Sequence, residues 1–217
     1  MGIVHIPRTI AAIVKGIAKR QLSPLTEKEK SLVGVGLKNP PHIYSSRAGL
    51  FDVDLMFHMN NASYLTHAEL ARWEWTAYGG TLAESFRSAS PFIVSASFIR
   101  FRREVPPLKK FDIETRLVNI DNRHLWVYQT FHHKKGSERD KILAQVFTQG
   151  VVTNNGKVIN PLLFLEKAMP LAKDALEDLR ATPKGIESIF DEKADRFLQL
   201  EDVLRRSANL HDEKVNS

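Results

Sequence analysis

The sequence predicts an α+β fold in which an antiparallel sheet wraps around one long helix. Tyr64, Ala68, Ala71, Trp75 and Tyr78 recur at steps of four and three, which sets them on one apolar face of a helix about five turns long. Strand-like runs follow at 92–103, 111–120, 125–133 and 142–153. Short turn signals separate the later runs, the connection that antiparallel neighbours use. A long helix with one apolar face must lie across a sheet to bury it.

The elements follow in order. Residues 1–41 read as a leader that ends at Asn39-Pro40-Pro41, because proline stops a helix and holds its predecessor extended. An extended run is expected over 42–52. Asn60 or Asn61 then caps the long helix by accepting an orphan amide of its first turn, and Gly79 with Gly80 ends it. Residues 81–90 read as a short helical or irregular stretch. In the 92–103 run, Phe98, Arg100 and Arg102 stand opposite Ile99 and Phe101, and Pro106-Pro107 breaks the run. Asp121-Asn122-Arg123, residues 136–140 and Asn155-Gly156 supply turns. The strands after the helix are therefore expected to form a meander of about four. Helix returns after Pro161, and a polar tail begins at Arg205. The expected domains are a leader (1–41), a sheet-and-helix domain (42–165) and a helical extension with its tail (166–217).

Bulk properties narrow the class. With 217 residues, 43% of them hydrophobic and 26% charged, the chain can bury one substantial core. It has no cysteine, which excludes disulfides, thiolate metal sites and a thiol nucleophile. The formal charge of +6 favours acidic partners, among them anionic membrane and phosphate-bearing ligands. No apolar run reaches the roughly 18 residues of a membrane span. In the leader, Ile6, Ile10, Ile13, Val14 and Ile17 recur at helical spacing among Arg8, Lys15, Lys19 and Arg20, and no acid precedes Glu27. Residues 6–20 suit a helix on an anionic membrane surface, a mitochondrial presequence, or a helix docked on the protein's own core.

One stretch carries the chemistry. Asp52-Val-Asp54-Leu-Met-Phe-His58-Met-Asn60-Asn61-Ala-Ser-Tyr64, followed by Glu69-Leu-Ala-Arg72, resembles the D-x-D-x-x-x-H-x-N-N-x-x-Y/F and E-x-A-R signature of hot-dog acyl thioesterases. These include the 4-hydroxybenzoyl-CoA and acyl-carrier-protein thioesterases, and residues 52–72 are most similar to the family of thioesterase superfamily member 6. The similarity extends over roughly 42–165. It implies the hot-dog fold and the hydrolysis of an acyl thioester on coenzyme A or an acyl carrier, in lipid metabolism.

Thioester hydrolysis needs an activated water or a carboxylate nucleophile, and donors for the oxyanion. By resemblance Asp54 holds the catalytic position and His58 belongs to the catalytic set. The helix start at Met59, Asn60 and Asn61 offers amides and a partial positive charge for the thioester oxygen. Each residue also has a plainer role: Asp54 and His58 in holding the turn, Asn60 and Asn61 as caps. Glu69 is a second candidate base, and its default partner is Arg72, one turn away. Two positions depart from the acyl-carrier-protein thioesterases. Met56 stands where asparagine is common, and Phe57 where glycine is common. Both make the loop more apolar.

Arg100, Arg102 and Arg103, with Lys109 and Lys110, form a basic stretch that suits coenzyme A phosphates or, more simply, a solvated strand face. Nucleic acid is not expected, since Phe98 alone shares that face. His132-His133 points to opposite sides of a strand, so no metal site is expected. Trp73 and Trp75 read as packing residues. No metal or redox cofactor is implied; coenzyme A or phosphopantetheine arrives with the substrate. The resemblance implies a homodimer, because the family's acyl site lies between subunits. The compartment is expected to be intracellular: cytoplasmic, peripheral to a membrane, or mitochondrial. The alternative from another class is a catalytically weak acyl-binding protein at a membrane surface.

Overall fold

The computed structural model describes residues 2–133 and 141–181. The turn expected at 136–140 and the tail from Arg205 lie outside them. Two helices open the chain, α1 (Gly2–Leu22) and α2 (Glu27–Leu32), followed by strand β1 (His42–Arg47) and a 3-10 turn at Leu50–Asp52. The long helix is α3 (Asn61–Gly79), and α4 (Thr81–Arg87) follows it. Strands β2 (Phe92–Phe101), β3 (Lys110–Ile120), β4 (Leu125–His133), β5 (Ile142–Asn154) and β6 (Lys157–Ile159) come next. Two helices, α5 (Pro161–Ala168) and α6 (Lys173–Ala181), complete the described chain.

The caps of α3 are those its sequence predicts. The Asn60 side chain accepts from the Ser63 amide at 2.9 Å, and Gly80 ends the helix in the left-handed region at φ 89°, where a side chain would be strained. Asn155 and Gly156 both take positive φ between β5 and β6, as a tight hairpin turn needs. The extended run over 42–52 is shorter than expected: β1 stops at Arg47. The Asp52 carboxylate then accepts from the Gly49 amide at 2.8 Å and closes the 3-10 turn.

The sheet order is β1-β3-β4-β5-β2, all antiparallel, with β6 added on β5. This corrects the four-strand meander. Only β3, β4 and β5 are consecutive neighbours, and β2 crosses to the far edge, where Phe98 faces Phe147 of β5. The crossing follows from burial. Placed beside β3, β2 would displace β1, which pairs there from His42 to Arg47.

One face of α3 lies on the concave side of the sheet. Met59, Tyr64, Ala68 and Ala71 pack with Phe111, Ile113, Phe131 and Val146 in one cluster. Trp75 joins Leu117, Val127, Val152 and residues of α5 and α6 in a second.

The other side of α3 receives α1, so the leader is a helix docked on the protein's own core, but with the opposite face turned inward from the one its apolar stripe suggests. Its small residues and its cations face inward. Ala12 is buried, and a Cβ at Gly16 would come within 2.9 Å of the Ala77 Cβ, so the helices meet closely only because that position is glycine. Lys15 pairs with the fully buried Glu74 at 3.0 Å, and Lys19 pairs with it as well. Arg8 reaches Asp52 at 2.9 Å, and Arg20 donates to the Tyr78 carbonyl at 2.6 Å. The apolar stripe points out: Ile6, Ile10, Val14 and Ile17 are 44 to 64% exposed. Residues 1–41 and 42–165 thus belong to one unit through residue 181. No helix among the described residues is long and apolar enough to cross a membrane.

Candidate active site

The segment between the 3-10 turn and α3 is built from its own backbone. Asp54 N–H donates to the His58 carbonyl, and Phe57 N–H to the Asp54 carbonyl, both at 3.1 Å. The Asp54 side chain accepts from the Met56 amide at 2.9 Å, the Asx geometry that aspartate favours. His58 Nδ1 lies 3.6 Å from the other Asp54 oxygen, so the two candidate catalytic side chains stand together in front of α3. Both are partly open to solvent. Around them Leu55, Met56 and Phe57 are exposed, Leu55 at 96%.

Phe57 adopts φ 58°, a conformation that is costly for a bulky residue and free for glycine. The sequence departure at this position is therefore a departure in backbone chemistry. Where the resembled thioesterases relax the turn with glycine, this chain holds it against strain.

The three nominated oxyanion amides divide. Met59 N–H donates to the Val105 carbonyl and Asn60 N–H to the Asp52 carbonyl, each at 2.8 Å. Both are committed to the loop, which corrects their reading as donors to a ligand. Among the described residues the Asn61 amide, in the first turn of α3, meets no acceptor. It leaves one donor open at the helix start, where the partial positive charge of α3 lies.

Asp52, the first aspartate of the motif, is a structural anchor. His67 Nε2 lies 3.0 Å from its carboxylate, with Arg8 on the other oxygen. Burial opposes its charge, but His67 and Arg8 outweigh that and hold its carboxyl well below the usual range. Glu74 is handled alike. Burial again opposes, while His42 at 3.2 Å and Lys19 bring it down to about 2. Sequence reasoning missed both clusters because their partners come from the leader and β1, 32 to 59 residues away, and no local spacing announces them.

The ion pair expected between Glu69 and Arg72 does not form. Glu69 accepts from Trp73 Nε1 at 3.2 Å and lies 3.3 Å from His5 Nε2. Arg72 turns the other way, across the sheet, and donates to Gln129 Oε1 at 2.9 Å. Both residues line a cavity of about 940 Å³. Leu65, Thr66, Glu69, Arg72, Trp73 and Thr76 form its α3 wall, and side chains of α4, β2 and α5 close it. Its surface is chiefly aliphatic and aromatic, so it suits an apolar guest. Arg100, Arg102 and Arg103 are exposed at the end of β2, and Arg103 Nη1 donates to the Ile142 carbonyl at 2.7 Å.

Comparison with known proteins agrees with this layout. The sequence profile of the thioesterase-like superfamily matches residues 49–179. The protein THEM6 of Danio rerio is 30% identical over 138 residues, covering 64% of this chain and 66% of that one. THEM6 of Xenopus laevis is 33% identical over 90 residues, covering 42% and 44%. The chain thus spans less than two thirds of the length of these relatives. Among solved structures, the probable thioesterase YbaW from Escherichia coli superposes with a TM-score of 0.52 at 17% identity, covering 62% of this chain and 98% of that one. Motif, sheet order and central helix converge, and the chain belongs to the thioesterase-like superfamily, with the hot-dog fold.

Proposed function

We propose that this protein hydrolyses acyl thioesters, with Asp54 activating the attacking water or attacking the carbonyl itself. The observation that carries this reading is a juxtaposition on one helix. The Asp54–His58 pair and the free Asn61 amide stand at the start of α3, and the apolar cavity begins one turn further along it, at Leu65. A thioester carbonyl at the helix start would meet an N–H donor and the positive end of the helix dipole, with the acyl chain running along α3. Exposed Arg100 and Arg102 suit the phosphates of coenzyme A or a phosphopantetheine carrier.

The reading includes a homodimer. Strand β2 is an unpaired edge, and Ile93, Val94, Phe98 and Phe101 on it are exposed. Such an edge is a template for pairing with a second copy.

The test is hydrolysis of a panel of acyl-CoA and acyl-carrier substrates by wild type and Asp54→Asn. The substitution keeps the shape and removes the charge, so the rate should fall by about 10² or more. A wild-type rate in Asp54→Asn, with Glu69→Gln inactive, would move the base to Glu69, which alone of the two carboxylates lines the cavity. No turnover in any variant or substrate would favour the second reading, a weak acyl-binding protein at a membrane. The outward apolar stripe of α1 supports that reading.

A further inference from the structure

Arg72 is a cation in the wrong company for a purely structural role. It is half-buried between α3 and the sheet, and its partners are a neutral amide and a neutral hydroxyl: Gln129 Oε1 at 2.9 Å and Thr148 Oγ1 at 3.4 Å, both through Nη1. Gln129 is itself fixed. Its Nε2 donates to the Ala68 carbonyl and to Thr115 Oγ1, each at 3.0 Å, so its carbonyl oxygen must face Arg72. The guanidinium carries five N–H donors. Among the described residues neither Nη2 nor Nε finds an acceptor, and no carboxylate lies within ion-pair distance of Arg72. Glu69, one turn back on the same side of the helix, is turned toward Trp73 and His5. Burial lowers Arg72 to about 10, with Glu69 opposing, so it stays charged at neutral pH. A half-buried charge that has only neutral partners gains from an anion brought to it. Here it faces an apolar cavity with donors to spare.

We infer that this cavity selects acyl groups bearing a second anionic oxygen, a carboxylate in the body or at the far end of the chain, which Arg72 takes through Nη2 and Nε. Guanidinium and carboxylate match as two parallel hydrogen bonds. Arg72 lies eleven residues beyond Asn61, about 16 Å along the helix, so the carboxylate it reads is well separated from the thioester. Most of the remaining wall, Leu65, Trp73, Phe92 and Val127 among it, suits a hydrocarbon spacer, and the one acid in it, Glu69, is held by Trp73 and His5. The inference rests on the acyl-thioester reading and deepens it by naming the substrate class.

The experiment measures binding, so it does not depend on turnover. Full-length protein is titrated by calorimetry with two non-hydrolysable phosphopantetheine thioethers carrying sixteen-carbon chains, one ending in methyl and one in carboxylate. The thioether arm is common to both carriers. The carboxylated probe should bind at least about tenfold tighter, the effect of one charge-assisted contact. In Arg72→Met that ratio should collapse to one or below, and in Arg72→Lys it should be intermediate, since lysine keeps the charge and loses the fork. A loosened fold would weaken both probes together and leave the ratio unmoved. If Arg72→Met does not fold, the wild-type ratio and Arg72→Lys still decide. Equal affinity for the two probes in wild type overturns the inference and leaves the thioesterase reading standing. Binding of neither probe removes the acyl reading and the inference with it.

Discussion

At the scale of single residues, the candidate site contrasts two aspartates two positions apart. Asp52 is consumed by Arg8, His67 and Gly49, and Asp54 is left with one Asx contact and a histidine. The motif alone ranks them by resemblance, and the burial of Asp52 supplies the physical reason. Phe57 yields a prediction of its own. Phe57→Gly should raise the unfolding free energy of the monomer by about 1 kcal/mol, because it releases a left-handed conformation that L-residues resist. The same change should weaken dimerisation if a second copy covers the exposed loop. Denaturant titration at low and high concentration separates the two effects, and an unchanged midpoint at both would sink the strain argument. The role of Arg72 was not legible in the sequence. Its spacing to Glu69 predicts a surface pair, and only the fold shows that its acceptors, Gln129 and Thr148, lie 57 and 76 residues away.

Among the elements, α3 was the most legible and α1 the least. Period, caps and terminal glycines define α3 locally. The leader's pattern is equally plain, but pattern cannot say which face turns inward, and here the cations do. Docking depends on Glu74. Glu74→Gln should destabilise the protein by about 2 kcal/mol, less than a fully buried ion pair because both lysines keep partial solvent contact. Faster amide exchange in α1 would report it. Acid should mimic the substitution. The carboxyl of Glu74 titrates near 2 in the folded chain against an ordinary 4.5. Its stabilisation is therefore complete above about pH 4.5 and is lost as the pH falls toward 2. Exchange in α1 that is indifferent to pH across that window would contradict the assignment. Membrane binding is recast too. Since the basic side chains are engaged with Asp52 and Glu74, any vesicle binding of the folded protein should come from Ile6, Ile10, Val14 and Ile17. It should be as strong on neutral lipid as on anionic lipid and resist salt, which screens only charge. Co-sedimentation in low and high salt checks this.

For the whole molecule, four of the five strands after α3 were readable from runs and turns, but the short β6 and the position of β2 were not. Nothing in 92–101 says that it pairs across the sheet with β5, because that register is fixed by the helix it must cover and by β1 holding the β3 edge. The same crossing leaves β2 open. Light scattering at micromolar concentration should give a dimer, and the outward amides of β2 should lose exchange protection on dilution. A monomer at all concentrations, with activity intact, would count against a shared site.

The inward-facing cations also bear on how the chain is made. A matched domain that begins near residue 42 suggests that the first 21 residues can be removed without harm, yet their loss would take Arg8 from Asp52 and both lysines from Glu74, leaving each buried carboxylate with a histidine. During synthesis the situation is reversed. Translation reaches Glu74 on the order of several seconds after α1 has left the ribosome, and through that interval the helix shows isoleucines and free cations together. A nascent chain thus shows, for a moment, cations that the finished protein engages with Asp52 and Glu74. That interval is the one in which the cations of α1 have no partner, and the rate at which α3 forms sets how long it lasts.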